Sequence, residues 1–279
     1  MLTVDALHAA VAGEGAERVL TLDRGFQGLP DTAHGGSVLA LFDLVAGPSG
    51  ARRLEGHYLK RVPVASPLAL RVRRDGGGCH LEVAERETVL VRGEVRPITD
   101  TGGSPLAPPA ADALALPISR TCFACGLDNP LGLGATLRAD DAIVGGTWTP
   151  RPGFATRAGT LSSVALTTLL DEAAFWLGAL ATGEAGMTTQ LRVVLHAPAD
   201  AGATISIAGE RAAVRPREGD PRYTETFVSA RSGDGRLVAS AAITFVAVRG
   251  TARRLVNGML AVNPPELLRR VFPAYTPAA

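Results

Sequence analysis

Excess charge of one sign, paired cysteines and long uninterrupted apolar runs are all missing from this 279-residue chain. It has 28 Lys and Arg against 27 Asp and Glu, a formal net charge of +1, so no global field draws it to nucleic acid or to an anionic membrane. The three cysteines, Cys79, Cys122 and Cys125, are too few and odd in number for a disulfide framework, and they fit a reducing compartment. The stretch from Met1 to Glu17 has no basic start and no apolar core of signal-peptide length. No later run approaches a membrane span, so a cytoplasmic protein is the expectation. P-loop, dinucleotide fingerprint, HExxH and Gly-x-Ser-x-Gly elbow are all absent, and His8, His57 and His196 stand in no triad spacing; no cofactor is expected.

With 46% of the residues apolar, the chain affords a sizeable core in one large domain or two ordinary ones. The most informative stretch runs from His34-Gly35-Gly36 through Val38-Leu39-Ala40-Leu41-Phe42 to Asp43. Two glycines followed by apolar residues at helical spacing predict a buried helix whose first N–H groups are open to a ligand. Gly47-Pro48 stops it. Strands are predicted at Arg18 to Leu22, Leu54 to Val62, Leu68 to Arg74, His80 to Glu85 and Val89 to Val95, with hairpin turns at Asp75-Gly76-Gly77-Gly78 and Arg86-Glu87. One helix and an antiparallel meander make an α+β unit.

Pro97 to Pro117 is rich in Pro, Gly, Ala and Ser and reads as a linker. After it the order recurs: strands near Ala135 to Arg138 and Ala142 to Trp148, a helix from Ser162 to Leu180, and strands near Thr188 to Leu195, Thr204 to Val214, Tyr223 to Ala230 and Leu237 to Val248. Ser162 and Asp171 stand in register with His34 and Asp43, and Ala197-Pro198-Ala199 matches Val62-Pro63-Val64. Internal duplication explains this economically. The expected organisation is an N-terminal unit over 1–100, a linker over 101–117, a C-terminal unit over 118–250 and a tail over 251–279. In that tail Asn263-Pro264-Pro265 starts a helix whose Leu267, Leu268 and Val271 dock on the body or on another chain.

His34-Gly35-Gly36 with Asp43, the stretch Cys122-Phe123-Ala124-Cys125-Gly126-Leu127-Asp128-Asn129-Pro130-Leu131-Gly132-Leu133, the helix Leu169-Leu170-Asp171-Glu172-Ala173 and Leu191 to Pro198 together resemble the hotdog-fold acyl-CoA thioesterase superfamily. The resemblance implies tandem hotdog folds, each a long central helix wrapped by an antiparallel sheet, joined edge to edge. It also implies hydrolysis of an acyl-CoA or other acyl thioester between the units. Carried over residue by residue, Gly35 N–H polarises the thioester carbonyl and Asp171 is nucleophile or base. His34 supports the turn, and Gly36 lies against the substrate.

A second, degenerate site would pair Ser163 and Ser162 with Asp43, but the serines put side chains where the thioester needs close approach to backbone. Glu172 is about 100° round the helix from Asp171, so it is expected to face away and to be the fallback acid. The family's Asn or Gln six residues before the His is replaced by Gly28 and Thr156, with Gln27 one residue off register, leaving Gln27 and Thr156 as orienting candidates. The alternative is a non-catalytic acyl-thioester or lipid-binding hotdog protein; a hydratase of the double-hotdog type lacks a strand-helix Asp/His signature here.

Leu39, Leu41, Phe42, Leu166, Phe175 and Trp176 are candidates to line an acyl chain, and Arg71, Arg73, Arg74, Arg211, Arg215 and Arg217 to meet phosphates. Cys122-x-x-Cys125 raises zinc, with Cys79-His80 as the remaining ligands, but a lone pair of this kind is a weak signal. The two cysteines are expected to be small buried residues in a turn, and no metal is expected. Duplication supplies both units within one chain and leaves sheet faces free for a homo-oligomer.

Overall fold

A computed structural model describes residues 2–47, 50–99 and 106–275. Pro48 of the expected helix stop and residues 101–105 of the expected linker lie outside them. In the first half α1 (Thr3–Ala9) and β1 (Glu17–Leu20) precede α2 (Gly35–Ala46), followed by β2 (Arg52–Tyr58), β3 (Leu68–Asp75), β4 (Gly78–Glu85) and β5 (Thr88–Pro97). The second half repeats this order with β6 (Ile143–Trp148), α3 (Ser163–Thr182), β7 (Gly186–Leu195), β8 (Ile205–Glu210), β9 (Asp220–Ser232) and β10 (Leu237–Ala247). Two short helices follow among the described residues, α4 (Thr251–Gly258) and α5 (Pro265–Val271).

These strands form one antiparallel sheet in the order β1-β3-β4-β5-β2-β7-β10-β9-β8-β6, which shorter strands extend to 14. Within each half, the first strand pairs with the third and the second strand lies at the opposite edge. The two halves then meet through their second strands, β2 and β7, with Glu55 opposite Arg192 and Leu54 opposite Val193. The Glu55 carboxylate accepts hydrogen bonds from Gln190 Nε2 at 2.8 Å and from Arg192 Nε at 3.1 Å, so charge reinforces the backbone ladder at the seam. This is the α+β tandem hotdog arrangement: two central helices enclosed by a continuous sheet.

Alternation explains the sheet's inner face. Leu68, Leu70 and Val72 of β3 are buried, while Arg71 and Arg73 between and beyond them are exposed. The helices are apolar all round because they are covered all round. Val38 through Phe42 of α2 have no exposed surface. α2 ends at Gly47, whose φ of 62° lets its N–H reach back to Asp43 O. α3 is long and apolar enough to cross a membrane, contrary to the expectation that no run approaches one, yet 83% of its apolar window is buried inside this fold.

The loop from Arg24 to Ala33 contains a 3-10 turn at Arg24–Phe26 and a small hairpin of Gln27–Leu29 with Thr32–Ala33, because His34 N–H and Ala33 N–H donate to Phe26 O and Val62 O. The helices α1 and α4 have no counterpart among the expected elements. The tail docks on the body: Leu268, Val271 and Phe272 are buried, with the Phe272 ring 6.2 Å from that of Trp176.

Candidate active site

The two central helices cross where Gly36 meets α3. A Cβ on Gly36 would stand 2.5 Å from Thr168 Cα and 2.6 Å from Thr167 O, which leaves no room for a side chain. Thr167 Oγ1 lies 2.8 Å from Gly36 O across the crossing and 2.9 Å from Ser163 O one turn back in its own helix, so its single proton is shared between the two carbonyls. Thr168 packs its Cα against Gly36, and its hydroxyl has no partner among the described residues.

One turn along α3 from this crossing, Asp171 faces the start of α2. Its Oδ2 accepts from Gly36 N–H at 2.9 Å, and His34 Nδ1 lies 3.2 Å from the same oxygen. Thr188 Oγ1 donates to Oδ1 at 2.6 Å. Thr188 reaches inward from β7 at a register shift between Thr188 and Gln190, the kind of bulge that re-aims a side chain. Gly35 packs directly on the acid, since a Cβ there would lie 2.7 Å from Asp171 Oδ2. Tyr58 OH donates to Gly35 O at 2.6 Å; burial and the Asp171 charge hold its phenol well above the ordinary pKa, so it stays a donor. The Gly35 N–H donates to no group among the described residues.

Glu172 does not face away. It is buried, its Oε2 lies 3.5 Å from His34 Nε2, and Trp176 Nε1 donates to its Oε1 at 3.1 Å. The 100° step between the two acids is spanned by the imidazole, whose nitrogens point to opposite sides of the ring. Burial pulls the His34 pKa down, but hydrogen bonding of the imidazole to the Asp171 and Glu172 carboxylates outweighs it and leaves the pKa well raised. The imidazole is held between the two acids, and the Gly36 N–H lies within hydrogen-bond distance of both Asp171 Oδ2, at 2.9 Å, and His34 Nδ1, at 3.2 Å.

These groups wall a cavity of about 340 Å³ lined by His34, Gly35, Tyr58, Asp171, Glu172 and Trp176. Phe175, Met187, Met259 and Leu260 make its apolar side, and Lys60 and Arg61 stand exposed at its edge. Of the residues expected to line an acyl chain, Phe175 and Trp176 are in this wall, whereas Leu39, Leu41, Phe42 and Leu166 are core.

The other expected site residues lie elsewhere. Asp43 is held by Arg52 through two hydrogen bonds of 2.5 and 2.8 Å, so its charge is met by the guanidinium, and it does not border this cavity. Ser162 caps α3 by accepting from Val164 N–H at 3.4 Å, and neither it nor Ser163 borders the cavity. Thr156 pairs with Thr160 at 2.8 Å within its own loop. Gln27 is used through its carbonyl, which accepts from Phe123 N–H. The neighbouring Gly28 packs on His34, where a Cβ would stand 3.2 Å from the imidazole Cδ2, so a side chain at that position would press on the His34 ring. Arg74 donates to the last carbonyls of α2, Val45 and Ala46, and Arg71 pairs with Glu82; Arg211 and Arg215 donate to backbone carbonyls. Cys79 is buried in β4 and His80 pairs with Asp75, away from Cys122 and Cys125.

Tyr58 and Thr188 were not among the sequence candidates, and nothing in the spacing of either strand marks them.

No protein-family model and no curated protein matches the chain. Solved structures match it in fold. The tesB protein of Mycobacterium avium subs paratuberculosis is 11% identical with a TM-score of 0.63, the match covering 88% of this chain and 98% of that one. The acyl-CoA thioesterase II TesB2 of Mycobacterium marinum is 15% identical with a TM-score of 0.58 over 88% and 98%. The dehydratase domain of RzxB from Pseudomonas fluorescens is 13% identical with a TM-score of 0.56 over 84% and 96%. The chain therefore has the tandem hotdog fold, an architecture it shares with proteins named as thioesterases and as dehydratases.

Proposed function

We propose that the chain hydrolyses acyl thioesters of the acyl-CoA type in the cavity between α2 and α3. The observation that carries this reading is the Asp171 carboxylate seated on the start of the other half's helix, beside the unpaired Gly35 N–H. A thioester carbonyl oxygen placed against Gly35 N–H gains a donor at a positive helix end as negative charge develops on it, worth a few kcal/mol. Asp171, aimed by Thr188 and Gly36, then attacks the carbonyl carbon or takes a proton from water. The apolar wall of Phe175, Met187 and Met259 suits an acyl chain, and Lys60 and Arg61 suit the phosphates of a nucleotide carrier. The fold-level likeness to proteins named as thioesterases supports the reading.

The test is hydrolysis of a panel of acyl-CoAs by the wild type and by Asp171→Asn. Loss of at least about 100-fold in kcat/KM is expected. Full activity in the variant would remove Asp171 from the mechanism, and tight acyl-CoA binding without turnover by the wild type would favour the non-catalytic reading.

A second reading rests on the buried His34–Asp171 pair, one group from each half. Such a pair can serve as acid and base for addition or loss of water at an acyl thioester, and the fold likeness to a dehydratase domain is compatible with it. Including 3-hydroxyacyl and 2-enoyl thioesters in the panel separates the two, since hydration and dehydration release no free thiol.

A further inference from the structure

Cys122, Cys125, Glu172 and the outer nitrogen of His34 have no part in the hydrolysis described above, yet they converge. One ligating atom from each of His34, Cys122 and Glu172 lies within 4.8 Å of the other two, and all three residues are buried. Cys125, three residues on in the same turn, is buried, packs with Cys122 and lines the same cavity. We propose that His34 Nε2, the two thiols and the Glu172 carboxylate bind one zinc ion.

The donor set suits it. Thiolate and imidazole are preferred by zinc, and two cysteines separated by two residues are a common half of a tetrahedral site. Bonds of about 2.0–2.3 Å hold tetrahedral ligand atoms about 3.3–3.8 Å apart, so the atoms of His34, Cys122 and Glu172 need close in by only about 1–1.5 Å, and Cys125 completes the set by turning its thiol toward them from the same turn as Cys122. The turn that carries the thiols is rigid: Gly126 N–H donates to Cys122 O at 2.9 Å, a Cβ on Gly126 would collide with that carbonyl, and Ser119 Oγ accepts from Cys122 N–H at 3.3 Å.

The outer partners are those a metal site needs. A ligating imidazole ordinarily gives its other N–H to a carboxylate, and His34 Nδ1 faces Asp171 Oδ2 at 3.2 Å. Glu172 is held by Trp176, which donates to its Oε1 and leaves Oε2 on the side of His34. Binding expels the two thiol protons and the Nε2 proton of His34 to solvent. With four protein ligands the site is closed and structural. It ties the start of α2 to the cysteine turn and to α3, and leaves Asp171 free of the metal.

The inference does not depend on the hydrolysis, because metal content is read without substrate. Full-length protein purified without chelator is analysed for zinc, and stripped protein is titrated with Co(II) while the thiolate-to-cobalt charge-transfer band is followed. About one zinc per chain is expected, with saturation of the cobalt band at one equivalent. Cys122→Ser should lower zinc at least about 10-fold and remove the band, while Cys79→Ser should leave both unchanged. Where Cys122→Ser does not fold, Cys125→Ser and the wild-type cobalt titration give the same reading. Wild-type protein that is folded, carries under about a tenth of an equivalent of zinc and develops no cobalt band overturns the proposal. So does metal content that survives both cysteine substitutions, or a disulfide joining Cys122 to Cys125 in protein purified under reducing conditions.

Discussion

Gly36 donates its backbone N–H to Asp171 Oδ2 over 2.9 Å, although 135 residues of chain separate them. That bond joins a helix start in one half to the flank of a helix in the other, and it exists only because the helices approach closely enough that position 36 has no space for a side chain.

Gly36→Ala should therefore destabilise the whole chain. The new methyl meets backbone atoms at Thr167 and Thr168, which cannot swing aside as a side chain tip can. Overpacking of this kind costs about 1–3 kcal/mol, which in a chain of this size lowers Tm by about 2–12 °C. An unchanged melting curve would show that the helices can part without loss.

Gly35→Ala should act on turnover more than on stability. Its methyl would stand 2.7 Å from Asp171 Oδ2, so the carboxylate must move from its place beside the Gly35 N–H. A fall in kcat of about 100- to 1000-fold is expected, the range seen when a transition-state donor is lost. Steady-state kinetics with an acyl-CoA substrate alongside a melting curve would check it; wild-type kcat would mean that Asp171 need not sit there.

Asp43→Ala should give the opposite pattern. Asp43 is buried and bonded twice to Arg52, so its removal leaves a half-buried guanidinium without its carboxylate. A loss of about 1–3 kcal/mol is expected from the unpaired group, with acyl thioester hydrolysis retained. Loss of activity at full stability would instead revive the second site at the start of α3.

The seam between the halves should weaken in acid. Burial raises the pKa of Glu55, but the hydrogen bonds from Arg192 and Gln190 prevail and hold it below its ordinary value. A folded-state pKa below the unfolded one contributes stability that is complete above the unfolded value and is lost as pH falls through the folded one. Wild type should thus exceed Glu55→Gln in urea resistance at pH 7, and the gap should shrink below the ordinary carboxylate range. A gap independent of pH would assign the effect to packing.

Much of the fold was legible in local pattern. The glycine turn at 35–36, the αL stop at Gly47 and the alternation of Leu68, Leu70 and Val72 each act over a few residues, so spacing alone predicts α2 and β3. Duplication was legible for the same reason, since it repeats those local signals. The linker was only partly so: Leu114–Ala115 at its end joins the sheet's edge, a pairing with Arg138–Ala139 that no local signal marks.

The site was half legible. Asp171 and His34 stand out because each repeats, or fails to repeat, a position in the other half. The orientation of Glu172 does not follow from helical period, because period states the angle between Asp171 and Glu172 but not that one imidazole spans it.

The order of residues along this chain determined its elements: where α2 and α3 begin and end, which strand faces are apolar, and that the pattern occurs twice. Tertiary structure alone decided which ends of those elements meet. It brought Tyr58 to Gly35, Thr188 to Asp171, and Cys122 to Glu172, while giving Asp43 to Arg52. The physical reason is range. Helix and strand signals depend on neighbours within a turn or a pleat, whereas the pairing of β2 with β7 and the crossing at Gly36 join groups more than a hundred residues apart.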